Sequence, residues 1–152
     1  MKVSELMNPN VVKVGPTTRL SEILQLMLRW HSNDIVVVDG EDRLLGIATY
    51  GDVSRRLLPT EQELIEHEEY LLDPGLMDDR DVDLKVPVAE IMTKKVITVP
   101  PESHAIKAAA LMTARHVKQL PVVEGNRVVG IISLADIGWG FMMRHREYPR
   151  GR

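Results

Sequence analysis

Val3-Ser-Glu-Leu-Met7 recurs as Val88-Ala-Glu-Ile-Met92, and the likeness continues downstream of both. Val11 and Val14 align with Val96 and Val99, Pro16 with Pro101, Leu26-Met27 with Leu111-Met112, His31 with His116, and Val37-Val38 with Val122-Val123. Once one residue is dropped in a turn, Arg43, Gly46, Ile47 and Asp52 align with Arg127, Gly130, Ile131 and Asp136. An ordered run of identities this long marks an internal duplication. A copy of about fifty residues buries too little surface to be stable alone, so the two copies are expected to pack together about a pseudo-twofold axis.

Each copy changes periodicity in the same order. A short β-rich run, Val11 to Val14 or Val96 to Val99, ends at proline. Leu20, Ile23, Leu24, Met27 and Leu28 then fall on one helical stripe, with Thr17 or Thr18 available as cap. In the second copy Ala105, Ala108, Ala109 and Met112 take those places after Ser103. Two β-branched runs follow around a turn, Ile35 to Val38 and Leu44 to Ala48, then Val122-Val123 and Val128 to Ile132. Each copy therefore reads β-α-β-β-α, an α/β fold.

Hydrophobic residues make up 44% of the 152, enough for a core, and few are aromatic. The absence of cysteine excludes disulfides, thiolate metal sites and thiol nucleophiles. No apolar run approaches the roughly 20 residues that cross a bilayer, and the first residues lack the apolar region of a signal peptide, so a cytoplasmic location and no membrane contact are expected. A net charge of −3 gives no general reason to expect nucleic acid. The average conceals a segment, Glu61 to Asp83, with ten acids and one base, Arg80. The remainder is mildly basic and suits an anionic small ligand.

The V-x-E-[LI]-M openings, the run Leu120-Pro-Val-Val123, and the endings Gly46-Ile-Ala-Thr49-Tyr-Gly-Asp52 and Gly130-Ile-Ile-Ser133-Leu-Ala-Asp136 resemble a tandem pair of CBS (cystathionine β-synthase) domains. The resemblance divides the chain into CBS repeats at 2–58 and 86–143, an acidic helical insert at 59–85 and a basic tail at 144–152. It implies a regulatory module that binds AMP, ADP, ATP or S-adenosylmethionine, needs no cofactor, catalyses nothing, forms a homodimer and acts on an effector protein in trans. An interaction module with unoccupied sites is the rival reading.

A hydroxyl where a strand enters a helix lies beside free backbone N–H groups and the positive end of the dipole, which attract phosphate. An Asp one turn later can accept both hydrogen bonds of a vicinal diol. By resemblance, phosphate contact is assigned to Thr49 and Ser133, and ribose contact to Asp52 and Asp136. The same spacing also describes a plain capping box. For adenine, apolar slots are expected between Val12, Val14, Ile35 and Val37, and between Ile97, Val99, Leu120 and Val122, although strand alternation puts half of such residues in the core.

In CBS proteins the residues before the L-P-V strand often bind phosphate. Lys118-Gln119 occupies that place in the second copy and Asn33-Asp34 in the first, so the Ser133/Asp136 site is expected to take the more highly charged phosphate chain with help from Lys118. Lys118 reaching across to the other ligand is the alternative. His31 and His116 are read as caps of helix carbonyls rather than metal ligands, and Met7 and Met92 as packing residues. No P-loop, triad or paired-carboxylate signature stands out.

Thr60 and Glu63 form a capping box that predicts a helix running to about Leu72, ended by Asp73-Pro74-Gly75, with Leu64, Ile65, Leu71 and Leu72 free to dock on the core or on another subunit. Trp139, Phe141, Met142 and Met143 near the last helix end offer a dimer interface. The arginines of the tail suit an acidic partner or the insert itself.

Overall fold

The computed structural model describes residues 1–145, so most of the basic tail, 146–152, lies outside the described residues. The first copy runs α1 (Val3–Leu6), β1 (Lys13–Val14), α2 (Leu20–Trp30), β2 (Asp34–Val38), β3 (Leu44–Thr49) and α3 (Tyr50–Leu57). The insert holds α4 (Glu61–Glu66), α5 (Glu69–Leu72) and a 3-10 turn at Pro74–Met77. A 3-10 turn at Val88–Glu90 opens the second copy, followed by α6 (Ala105–Arg115), β4 (Gln119–Glu124), β5 (Arg127–Ser133) and α7 (Leu134–Arg144). The mixed α/β fold expected from the periodicity is present, and the full β-α-β-β-α order appears in the first copy.

β1 lies parallel to β2, which pairs antiparallel with β3. β4 and β5 form the matching hairpin. The run Val96 to Val99 does not become a strand: only Val99 bridges Val122. Pro100 and Pro101 follow at once, and without N–H groups they cannot extend a ladder.

Helix ends also differ from expectation. Arg19 and His104 precede α2 and α6 in place of Thr17, Thr18 or Ser103, and the His104 ring accepts the Ile106 N–H at 3.2 Å. His31 and His116 do close their helices, but with the backbone: both are left-handed, φ 48° and 54°, and their N–H groups bond back to the Met27 and Met112 carbonyls. The imidazoles are not the caps.

Two hydrophobic clusters form the core, and the openings of the copies are exchanged between them. Val3, from the first copy, is fully buried among Val99, Ala108, Met112, Leu120 and Ile132 of the second. Val88, from the second, is fully buried with Leu20, Ile23, Ile35 and Val53 of the first. Backbone bonds fix both exchanges, Val3 N–H to the Ser103 carbonyl at 2.8 Å and Val88 N–H to the Thr18 carbonyl at 2.7 Å. Met7 then lies against Gly130 and Met92 against Gly46, where a Cβ would stand 2.6 Å from each sulfur. The methionines are packing residues, as read, and the two glycines exist to receive them. Val36, Val38 and Val128 join the two halves in a third cluster.

In the insert, the Thr60 hydroxyl accepts the Glu63 N–H at 3.2 Å and the Glu63 carboxylate accepts the Thr60 N–H at 2.7 Å, the capping box as read. The helix breaks at His67 instead of continuing to Leu72, and α5 restarts beyond it. Glu66, Glu68 and Glu69 crowd the negative end of α4, whose last turn carries no base, so the dipole opposes continuation.

Candidate ligand-binding cleft

Both strand-to-helix junctions are capping boxes. The Thr49 Oγ1 accepts the Asp52 N–H at 3.2 Å, and Asp52 Oδ2 accepts from Thr49 N and Oγ1 at 2.9 and 3.1 Å. Ser133 and Asp136 repeat this at 3.1, 2.7 and 2.7 Å. Any ligand role must therefore coexist with capping. The two carboxylates differ in what remains. Asp52 is buried and its Oδ1 is ion-paired to Arg55, whereas among the described residues no partner reaches Oδ1 of Asp136. The lead-in residue of each copy supports its own helix through the backbone: the Asn33 carbonyl accepts from Tyr50 N at 2.7 Å and the Lys118 carbonyl from Leu134 N at 3.2 Å.

A cavity of about 490 Å³ opens beside the start of α3. Thr49 and Tyr50 of the first copy face Lys95, Ile97, Lys118 and Leu120 of the second across it. Thr49, Lys118, Ile97 and Leu120 are thus brought together, and Lys118 shares its space with Thr49 rather than with Ser133. Ser133 and Asp136 do not line this cavity, and Asp52 lies behind Thr49 in its capping box. Of the proposed adenine walls, Ile35 and Val37 are fully buried with Val12 and Val14 packed in the first cluster, and Val99 and Val122 belong to the second. None of the six lines this cavity: Ile35, Val37, Val99 and Val122 are buried core, and Val12 and Val14 are half-buried against it.

Asp34 also lines the cavity. Burial pushes its carboxyl above the usual carboxylate range, the charge of Asp52 adds to the rise, and the Lys118 ammonium opposes it. Because the folded value is raised, Asp34 favours the fold in acid, and that contribution is lost as pH rises through the raised value. Asp34→Asn is expected to be more stable than the natural protein at neutral pH, with the gap closing as pH falls. Thermal unfolding of both proteins between about pH 4 and pH 8 checks this, a range that brackets a displaced carboxylate. A gap that widened in acid would refute it.

Tyr50, Thr93 and Lys95 were not anticipated as lining residues. Each carried a signal: Tyr50 lies inside the Gly46–Asp52 motif, and Thr93 and Lys95 directly follow the V-x-E-I-M opening. Because Met92 is seated on Gly46 and Thr93 pairs with Ile47, this segment is delivered to the first copy's hairpin.

The family model for the CBS domain matches residues 3–59 and 88–137. Among curated proteins, the chloride channel protein CLC-f of Arabidopsis thaliana is 33% identical over 138 residues, 85% of this chain and 16% of that protein. The inosine-5'-monophosphate dehydrogenase of Methanocaldococcus jannaschii is 29% identical over 150 residues, 98% of this chain and 24% of that enzyme. The chain thus spans under a quarter of the length of these two relatives. Among solved structures, CBSX2 in complex with AMP superposes with a TM-score of 0.74 at 20% identity, covering 95% of this chain and 98% of that one. The CBS domain pair of protein MJ0100, in complex with 5'-methylthioadenosine and S-adenosyl-L-methionine, gives 0.70 at 22%, covering 95% and 98%. The cytosolic domain of the Mg2+ channel MgtE in complex with ATP gives 0.68 at 26%, covering 91% and 48%.

Proposed function

This chain belongs to the CBS-domain family, and on that premise we propose that it is a regulatory module that binds an adenosine-containing ligand in the cleft between Thr49 and Lys118. One observation carries the reading: the cavity unites a hydroxyl at a helix start, a lysine from the opposite copy and the apolar side chains of Ile97 and Leu120. Phosphate, charge neutralisation and an adenine face are the three needs of a nucleotide, and each has a candidate here. The AMP, ATP and S-adenosylmethionine held by the similar structures support the class of ligand. Asp52 can offer its second oxygen to a ribose once Arg55 swings away. The Arg55 side chain is 73% exposed but that of Asp52 only 5%, so the ribose hydroxyls would have to replace the bond that is lost. Asp136 offers its free oxygen at the pseudo-symmetric junction.

The proposed output is allosteric: the ligand stabilises whichever arrangement it binds better and so alters contact with an effector protein in trans or with a second copy, in the cytoplasm and without catalysis. Among the described residues no helix is long and apolar enough to cross a membrane. Met142 and Met143 stand 49% and 64% exposed on α7, an apolar face suited to a homodimer, while Phe141 packs on the core. A second reading, an interaction module without ligand, draws on the fact that both carboxylates are already engaged as caps.

Ligand-stripped protein is to be heated with AMP, ADP, ATP, S-adenosylmethionine and GTP, with product analysis for turnover. An adenosine ligand at 100 times its Kd is expected to stabilise by about 2.7 kcal/mol, with no product formed. An unfolding midpoint indifferent to every adenosine ligand would defeat the proposal in favour of the second reading.

A further inference from the structure

The insert has its own groove. A cavity of about 360 Å³ is floored by Tyr70, Leu76 and Met77 and rimmed by Glu63, Asp79 and Asp81. Arg80 builds it: its guanidinium reaches back to the Glu63 carboxylate at 3.1 Å and ties the returning chain to α4. Around the groove, the helical pieces of the insert bury none of their residues. Ile65, Leu71, Leu72 and Leu76 are each more than half exposed. Apolar side chains left out of the core on a strongly acidic segment are unsuited to water alone and suited to a basic, partly apolar partner.

One segment of this chain has that chemistry. Beyond α7 the sequence reads Arg146-Glu-Tyr-Pro-Arg-Gly-Arg152, three arginines interleaved with an aromatic and a proline. It departs from the second copy's half of the core, whereas the insert closes on the first copy's half. α7 belongs with α1 and α6, where the charge of Arg144 acts on Glu5, whereas the insert returns to α2 through bonds from Leu20 and Ser21 to the Val86 and Leu84 carbonyls. A second copy, if related by a twofold axis, would present its insert to this tail and its tail to this insert, so that one operation would make two identical contacts.

We propose that the basic segment Arg146–Arg152 of one copy docks in the acidic groove of the insert of a second copy, reciprocally. The guanidinium groups meet Asp79 and Asp81 at the rim, and Tyr148 and Pro149 cover the exposed leucines. The contact is independent of the nucleotide cleft, and its failure leaves the cleft proposal standing.

The natural absence of cysteine makes the test clean. Leu76→Cys and Gly151→Cys are made in separate chains of residues 1–152, mixed in equal amounts and mildly oxidised, with Met77→Cys as a second groove probe. The expected product is a disulfide-linked heterodimer from either groove probe. It should fall severalfold between roughly 0.02 M and 0.5 M salt, as screening demands, and on changing Arg146, Arg150 and Arg152 to glutamate. Three results overturn the proposal: cross-links that only join like variants, heterodimer formation indifferent to tail charge, or a doubly substituted chain whose bridge closes within itself at dilution.

Discussion

Gly46→Ala is expected to destabilise the protein by about 3 kcal/mol, at the upper end of what overpacking a tight interior costs. The new Cβ would meet not only the Met92 sulfur at 2.6 Å but also the Thr93 carbonyl oxygen at 2.8 Å. A thioether can swing aside. The carbonyl cannot, because it accepts the Ile47 N–H at 3.0 Å while Thr93 N–H donates to the Ile47 carbonyl at 2.9 Å. Urea titration of Gly46→Ala, Met92→Ala and the double variant separates the two obstacles. The double variant should recover only part of the loss, the remainder being the backbone clash. Full recovery would mean that sulfur alone fills the space. At Gly130 the nearest backbone atom, the Asn8 oxygen, stands 3.2 Å away, so Gly130→Ala should cost less.

Lys118→Ala is expected to weaken ATP binding by about 10- to 100-fold and AMP binding by less. Charge-assisted bonds to phosphate are worth roughly 1.5–3 kcal/mol, and the longer chain engages more of them. Calorimetry with both nucleotides decides the point. Equal losses would place Lys118 near the adenosine end, and no loss would remove it from the site. Asp34→Asn should act in the opposite direction on the same cavity, raising affinity for either nucleotide by removing a carboxylate that the phosphate must approach.

The duplication makes the fold legible in the sequence. Two copies of V-x-E-[LI]-M and two Gly-to-Asp endings mark the duplication, and the change of periodicity within each gives the helices and hairpins, though not the missing strand at Val96 to Val99. Thr49 and Lys118 were legible as candidates because a hydroxyl at a helix start and a lysine before a strand carry chemistry in their types and places. What could not be read was which copy each residue would face. Lys118 was placed with Ser133 along the chain, with reach to the other ligand as the alternative, and it lines the cavity of Thr49, since strand pairing within a copy says nothing of packing between copies. Ile35 and Val37 were misplaced for a related reason: an apolar residue on a buried strand looks the same in sequence whether it faces a helix or a ligand. The break at His67 had a visible cause in Glu66, Glu68 and Glu69, but the strong capping box at Thr60 drew the helix too far.

The exchanged openings restrict how the two copies can move against each other. Val3 is lodged in one core and Val88 in the other, so moving the copies apart like the jaws of a clamp would strip each core of a buried side chain. A clamshell motion is therefore unavailable at modest energy. What remains is a shift of the segment from Met92 to Ile97, which laces the halves together and also walls the cavity, or rotation of the intact pair against a neighbour. A nucleotide that displaces Thr93 by even a fraction of an ångström disturbs its ladder with Ile47 and hence the hairpin leading into α3. On the proposed reading, occupancy would be transmitted as a change of pose, with the two halves moving as one body.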